Sequence, residues 1–375
     1  MKQIFPALLM MASPALGMAQ GQSGLVMTDL DKSVRPADDF YQFATGGWQK
    51  RNPLPAAYSR FGSFDQLGEE NNKRINSILG ELLKKKFKPG STEQKLSDFY
   101  KMAMDSTRRE KEGLAPVAGL LAEVEGAKTK ADLQQFQLKY AVDGYGVGFG
   151  SFFGADEKNA TMNILNINQG GLTLGQKDYY VNNDPATVAI REAYRKHIVR
   201  MFRLYGFNEA QAEARRDAIF RMETALALVS KSVTELRDPQ ANYNKMTLKE
   251  FKDNYPHINL EAMASAEGIK SAYIQEMVVG QPGFMAGYDK LYAAATADDL
   301  RALIEWDIIQ NSASYLTNEI RLANFDFFGK TMTGRKEEYP LWKRATNQVE
   351  ATMGEALGKM YVARFFPETS KKMME

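Results

Sequence analysis

The 375 residues contain no cysteine and only two histidines, and neither sign of charge predominates. Without cysteine there is no disulfide, so stability has to come from packing, and no residue is available for a bacterial lipoprotein anchor. The two histidines, His197 and His257, lie far apart in sequence, whereas a zinc site needs three or four ligands converging in space, so neither is read as a metal ligand. Basic and acidic residues number 48 and 46, which leaves no domain-wide positive field for nucleic acid. The longest early apolar run, Ile4 to Ala12, falls short of the ~20 residues a bilayer span requires, and no later run matches it. There is no integral membrane segment in this reading, no phosphate-cradling glycine loop, no Gly-x-Ser-x-Gly elbow and no solenoid repeat.

What is present is a chain of globular composition, 44% hydrophobic, long enough to bury more than one core. Lys2, the apolar run after it and the small residues ending at Ala19 have the form of a secretory signal over residues 1–19. The expectation is an exported protein of the periplasm, cell envelope or extracellular space, and the lack of disulfides suits a bacterial envelope best. Residues 20–62 read as an irregular opening segment. Helical periodicity then takes over. Ser63-x-x-Gln66 has capping-box spacing, and Ile75, Ile78, Leu79, Leu82 and Leu83 follow a helical stripe that Pro89-Gly90 ends, which predicts a helix from about Ser63 to Phe87. Further helices are predicted from Ser91, over Thr129–Val142, over Ala186–Tyr205 with Gly206 as cap, over Asn208–Ser232 and over Thr247–Asn254. Two more follow, from Asp298 to Asn311 or beyond and over Asn347–Arg364. Lys84-Lys85-Lys86 reads as a solvated helix end. The interruption is an alternating pair of segments, Val147 to Phe153 and Met162 to Asn166, joined by Asp156-Glu157-Lys158-Asn159, which predicts a β-hairpin.

Five short stretches, in order along nearly all of the mature chain, resemble the neprilysin-like zinc metallopeptidases. They are Asp38-Asp39-Phe40-Tyr41 through Trp48 with Ser59 to Asp65; Gln169-Gly170-Gly171-Leu172 to Asp178-Tyr179-Tyr180; Arg237-Asp238-Pro239 with Tyr243 to Thr247; Phe328-Gly329-Lys330 with Trp342-Lys343-Arg344; and Gly354 to Gly358 with Tyr361-Val362. Each is weak alone, and their collinearity carries the identification. The resemblance implies an all-α, multihelical cap lobe with a small β-hairpin, residues 63–375 being the helical N-terminal peptidase domain. It also implies peptide substrates and zinc as cofactor of the complete enzyme. The family's His-Glu-x-x-His motif does not occur here, so the resemblance implies that the zinc-binding catalytic lobe is absent, a partner this chain needs for activity, and that the chain alone is inactive. The alternative is a non-catalytic secreted peptide-binding or interaction protein.

No catalytic or metal residue is assigned. Arg60 and Asp65 are the candidate substrate-binding residues. Arg60 stands three positions before Ser63 at the start of the long predicted helix, and its planar fork can grip a carboxylate through two parallel hydrogen bonds. In the family the matching arginine contacts the free carboxylate of a bound peptide, and the aspartate matching Asp65 helps to orient it. On the residues alone, Arg60 could equally pair with Glu69 or Asp65 at the surface. Gly68 stands where the family's pattern can place a second arginine, which implies weaker carboxylate anchoring. Gly46-Gly47 before Trp48 reads as a tight turn against a core ring, the alternative for Trp48 being a substrate pocket. The sequon Asn159-Ala160-Thr161 is read as having no consequence in a bacterium.

Overall fold

The computed structural model describes residues 26–374, so the signal-like segment 1–19 lies outside the described residues. Two compact units can be separated: the described residues up to Pro55 together with Arg60–Ser63, and a larger unit of Ala56–Ser59 with Phe64 onward.

The smaller unit is built on helix α1, Phe40–Arg51, where an irregular segment was expected. Asp39 caps it, its carboxylate accepting from the Gln42 amide at 2.8 Å. Gly46 and Gly47 lie inside this helix, so they do not make a turn. A Cβ on Gly47 would sit 2.3 Å from the Thr28 carbonyl oxygen, and one on Gly46 would sit 2.7 Å from the Asp31 Cβ. The glycines are there to let residues 28–31 lie directly on the helix. Arg51 donates to the Thr28 carbonyl and pairs with Asp29, and Lys50 reaches Asp31 at 2.8 Å. Lys50 and the Ser33 donors hold the Asp31 carboxyl well below the usual carboxylate range.

The larger unit is all-helical apart from one small sheet. Helices α2 (Ser63–Leu82), α3 (Thr92–Met104), α4 (Ser106–Glu112), α5 (Ala115–Gly126) and α6 (Lys130–Lys139) precede the sheet. The first of these begins at Ser63 itself and ends five residues before Phe87. Strands β1 (Phe149–Asp156) and β2 (Asn159–Gln169) form the expected hairpin, paired Phe153 to Leu165, with an irregularity between Ala155 and Asp156. Helices α7 (Asp178–Val181), α8 (Pro185–Leu204) and α9 (Glu209–Val229) follow. Gly206 at φ 95° just past the end closes α8 as the sequence predicts, and Pro185 at the first helical position starts it one residue before the expected Ala186. Strand β3 (Lys245–Thr247), helices α10 (Leu248–Asn254) and α11 (Leu260–Ala266) and strand β4 (Glu276–Val279) come next. The hairpin is thus half of a four-stranded sheet in the order β1-β2-β4-β3, with β4 parallel to β2 and β3 antiparallel to β4. Helices α12 (Pro282–Ala294), α13 (Ala297–Ala313), α14 (Asn318–Phe325), α15 (Leu341–Phe365) and α16 (Glu368–Met374) complete the chain, with one π-turn, Asp326–Thr331, after α14. Met353 leaves the helical region and kinks α15.

Three cores hold this unit. The largest surrounds Trp306, Tyr194 and Phe202, each no more than 1% exposed, and draws on α5, α6, α8, α9, α13 and α14. A second packs the inner sheet face, including Ile167, Met277 and Val279, against Phe251, Phe284 and Met285. The third joins Leu79 of α2 and Leu96 of α3 to Ala345 and Val349 of α15. At ~25 cal/mol per Å2 of apolar surface removed from water, these clusters supply the stability that an unbridged chain needs.

Candidate functional site

Arg60 lies in the smaller unit, on a cleft of about 630 Å3. Trp48 of α1, Asn52, Pro53, Leu54 and Phe61 share its wall. The Trp48 ring is half-buried and stacks on Phe61 with centroids 6.1 Å apart at 24°. Trp48 is therefore a cleft residue as well as a packing residue. Arg60 itself is exposed and makes no ion pair among the described residues of its unit. An uncommitted guanidinium beside an aromatic wall can accept a planar anion carried by an apolar group. Asp65 sits in the first turn of α2, in the larger unit, where the helix dipole favours a carboxylate.

The segment Ala56–Ser59, immediately before Arg60, is held firmly within the larger unit. The Ala56 carbonyl accepts from the amides of Lys336 and Glu337 at 2.9 and 3.1 Å, and the Ala57 carbonyl accepts from Arg335 Nε at 2.9 Å. Lys343, on the buried side of α15 with its side chain 4% exposed, donates to the Tyr58 hydroxyl at 2.6 Å and pairs with Glu69. Its ammonium also lies 3.8 Å from the Tyr339 ring centroid. Burial and the hydrogen bond to Glu69 push the Tyr58 hydroxyl well above its ordinary value. The Lys343 and Tyr58 hydrogen bonds hold Glu69 below its own, against burial, which acts the other way and is the largest single influence. The pairing of Glu69 with Lys343 was not read from the sequence. A lysine on the core-facing side of an otherwise apolar helix stripe is the signal that could have found it.

Inside the larger unit a second cavity of about 330 Å3 is lined by Glu223 and Asp307. Glu223 is 3% exposed and accepts from the hydroxyls of Thr173 at 2.6 Å, Tyr180 at 2.8 Å and Tyr194 at 2.9 Å. Burial outweighs these donors and pushes its pKa up to about 7. With its lone pairs occupied by three hydroxyls, this carboxylate ties the 173–180 segment to α8 and α9. Tyr180, the second tyrosine of the Asp178-Tyr179-Tyr180 stretch, is thus a structural donor. Asp307 accepts from the Gly146 amide at 2.6 Å, and burial raises it to about 6.

The histidines do not converge on a metal. His197 is buried, stacked 4.8 Å from Phe327 at 14°, and burial lowers its pKa to about 3. His257 bonds Asp289 through Nδ1 at 2.8 Å. Among the described residues no group of three or more histidine, cysteine, aspartate or glutamate side chains could hold a metal ion, so the residues present do not fit zinc. No helix among them is long and apolar enough to cross a membrane.

Residues 36–375 match the model of the N-terminal part of peptidase family M13. Endothelin-converting enzyme 1 of Bos taurus is 28% identical over 359 residues, covering 93% of this chain and 47% of that protein. Neprilysin of Mus musculus is 26% identical over 384 residues, covering 93% and 50%. The inhibitor complex of the Mycobacterium tuberculosis zinc metalloprotease Zmp1 superposes with a TM-score of 0.87 at 28% identity, over 94% of this chain and 53% of that one. PepO from Lactobacillus rhamnosis HN001 superposes with a TM-score of 0.75 at 20% identity, over 91% and 53%, a likeness of fold. The chain spans about half the length of the relatives it matches.

Proposed function

The chain belongs to peptidase family M13, and we propose from that premise that it is the substrate-engaging, N-terminal part of an exported zinc metallopeptidase that hydrolyses small peptides. In this reading residues 1–19 are a secretory signal and residues 63–375 form the helical N-terminal peptidase domain. The zinc ligands and the general base lie outside this chain. Two observations support that division of labour: the sequence has no His-Glu-x-x-His motif, and the described residues offer no group fit to hold a metal. The chain alone is then inactive, with or without added zinc.

The observation that carries a substrate role is Arg60, exposed and without an ion pair among the described residues of its unit, on a cleft walled by Trp48 and Leu54. Its guanidinium takes the terminal carboxylate of the peptide, and the apolar wall takes the side chain next to it. The test is Arg60→Ala in a full-length enzyme made by joining this chain to an M13 zinc-binding half. Loss of a charged hydrogen bond is worth about 1.5 to 3 kcal/mol, so kcat/KM for short free-acid peptides should fall roughly 10- to 150-fold. C-terminally amidated peptides should be nearly unaffected, because the partner charge is gone. An equal loss on both would assign Arg60 to the fold instead.

A further inference from the structure

A cleft of about 450 Å3 in the larger unit lies where α14, the π-turn after it and the start of α15 meet. Its charged lining is unbalanced: Arg321, Arg335 and Arg344 face it, and Glu338 is the one carboxylate among them. Glu338 pairs with Arg321 and also lies 3.8 Å from Arg344 Nη1, so a single anion is shared by two cations. Arg335 has its Nε committed to the Ala57 carbonyl and its guanidinium 4.4 Å over the Tyr339 ring, which fixes its position at the rim. None of the pair partners is freely solvated. The side chains of Arg321, Arg344 and Glu338 are 11%, 23% and 18% exposed.

Three polar atoms in this cluster are buried with no hydrogen-bond partner: Arg344 Nε, the Asn324 side-chain oxygen, and Arg321 Nη1, whose ion-pair contact with Glu338 lacks hydrogen-bond geometry. A buried donor without an acceptor is costly, by on the order of 1–3 kcal/mol for a neutral group and more for a charged one. Asn324 lines the same cleft, and its amide carries two N–H donors beside the oxygen. Arg109, from α4, adds a fourth partly buried guanidinium to the neighbourhood, with Glu110 as the counter-charge beside it. Burial and the charges of Arg344 and Arg109 lower the pKa of Arg321 to about 10, and burial lowers Arg344 and Arg109 as well. Excess positive charge held out of water, with donors to spare, is the arrangement that recognises planar or tetrahedral oxyanions.

We propose that this cleft is an anion-binding site for a compact oxyanion, a carboxylate-bearing solute or phosphate, gripped by Arg321 and Arg344 with Asn324 as a further donor. The site involves neither Arg60 nor zinc, and it stands or falls independently of the peptidase reading. Occupation supplies the second anion that Glu338 alone cannot.

Thermal unfolding of the chain tests this with inorganic phosphate, succinate and, at matched ionic strength, sodium chloride. About 20 mM of the preferred anion should raise Tm by about 2–4 °C beyond chloride. Phosphate acting alone identifies a phosphate site, and succinate acting alone a carboxylate site. Arg344→Gln should abolish the response. Asn324→Asp, which places a carboxylate within the cluster, should raise Tm in chloride and remove the response to added anion, and it decides the matter if Arg344→Gln fails to fold. Stabilisation by chloride equal to that by both oxyanions, or an undiminished oxyanion response in folded Asn324→Asp, would overturn the proposal.

Discussion

Replacing His197 with phenylalanine should remove one acid-sensitive contribution from the stability of the helical core. The imidazole stacks on Phe327, meets Trp306 and Phe328 nearly edge-on, and has its Nε2 buried with no partner. Burial is the main cause, and Arg200 the second, of a pKa lowered from the ordinary 6.5 to about 3. A depressed folded value means that the contribution is fully present above pH 6.5 and is lost as pH falls toward 3, because only the unfolded chain takes up the proton. At pH 5 about 97% of unfolded molecules carry it and about 1% of folded ones do, which favours unfolding by about 2 kcal/mol relative to pH 7.5. That magnitude depends on the unfolded pKa and hardly on the folded one, provided the latter stays below about 4. Phenylalanine preserves the stack and cannot protonate. Urea unfolding at both pH values should therefore show the stability of His197→Phe minus that of the wild type rising by about 2 kcal/mol from pH 7.5 to pH 5. The difference between the two proteins is the readout because other buried groups act in the opposite direction. Glu223 and Glu305, raised to about 7, and Asp307, raised to about 6, stabilise at low pH and lose that contribution as pH rises through those values. A flat difference curve, within about 0.5 kcal/mol, would mean that folded His197 protonates freely, and the reasoning from burial would fail.

Four further outcomes follow. Glu223→Gln should flatten the opposite slope: the wild type, relative to the variant, should lose about 3 kcal/mol between pH 4.5 and 7.5 in denaturant titrations, and parallel curves would contradict the burial-raised pKa. Lys343→Met strands Glu69 and should destabilise by about 3 kcal/mol in urea unfolding, with Glu69→Leu in the same chain restoring most of it; a purely additive double variant would deny the pair its role. Gly47→Ala should loosen residues 27–31 and hasten proteolytic cleavage there, although alanine in a plain helix stabilises by about 1 kcal/mol, so the sign separates close approach from propensity. A Cβ on Gly68 meets nothing within 4 Å, and Gly68→Arg in the joined enzyme should improve kcat/KM for free-acid peptides by roughly 3- to 10-fold while leaving amides unchanged.

The helical part of the fold was legible because its signals are local. Asn208, Thr247 and Gly206 mark helix ends through side-chain acceptors or a left-handed backbone, and each does so in the structure. Strands β3 and β4 were not legible. They are three and four residues long, and the parallel partner of β4 lies more than a hundred residues earlier in the chain, so no local periodicity reports the pairing. Helix α1 was hidden by Gly46-Gly47, whose low propensity suggests a turn; the close approach of residues 28–31 overrides it. At the candidate site, Arg60 was proposed from its motif, and the cleft on which the structure places it was not read. Trp48 and Arg60 are twelve positions apart, and only the folding of the intervening segment places both on one wall. The Lys343–Glu69 pair escaped for a related reason: the Trp342-Lys343-Arg344 stretch marks the family, but burial of its lysine depends on helices joined from opposite ends of the chain.

The division of labour between this chain and a separate zinc-binding half is tested most directly by measuring cleavage of a short free-acid peptide. The samples are the purified chain, an M13 zinc-binding half, and the two joined, each with zinc and with a chelator. Zinc-dependent cleavage should appear in the joined protein, be abolished by the chelator, and be absent from this chain by itself. Zinc-dependent cleavage by this chain alone, persisting through further purification and resistant to serine-protease inhibitors, would contradict the account.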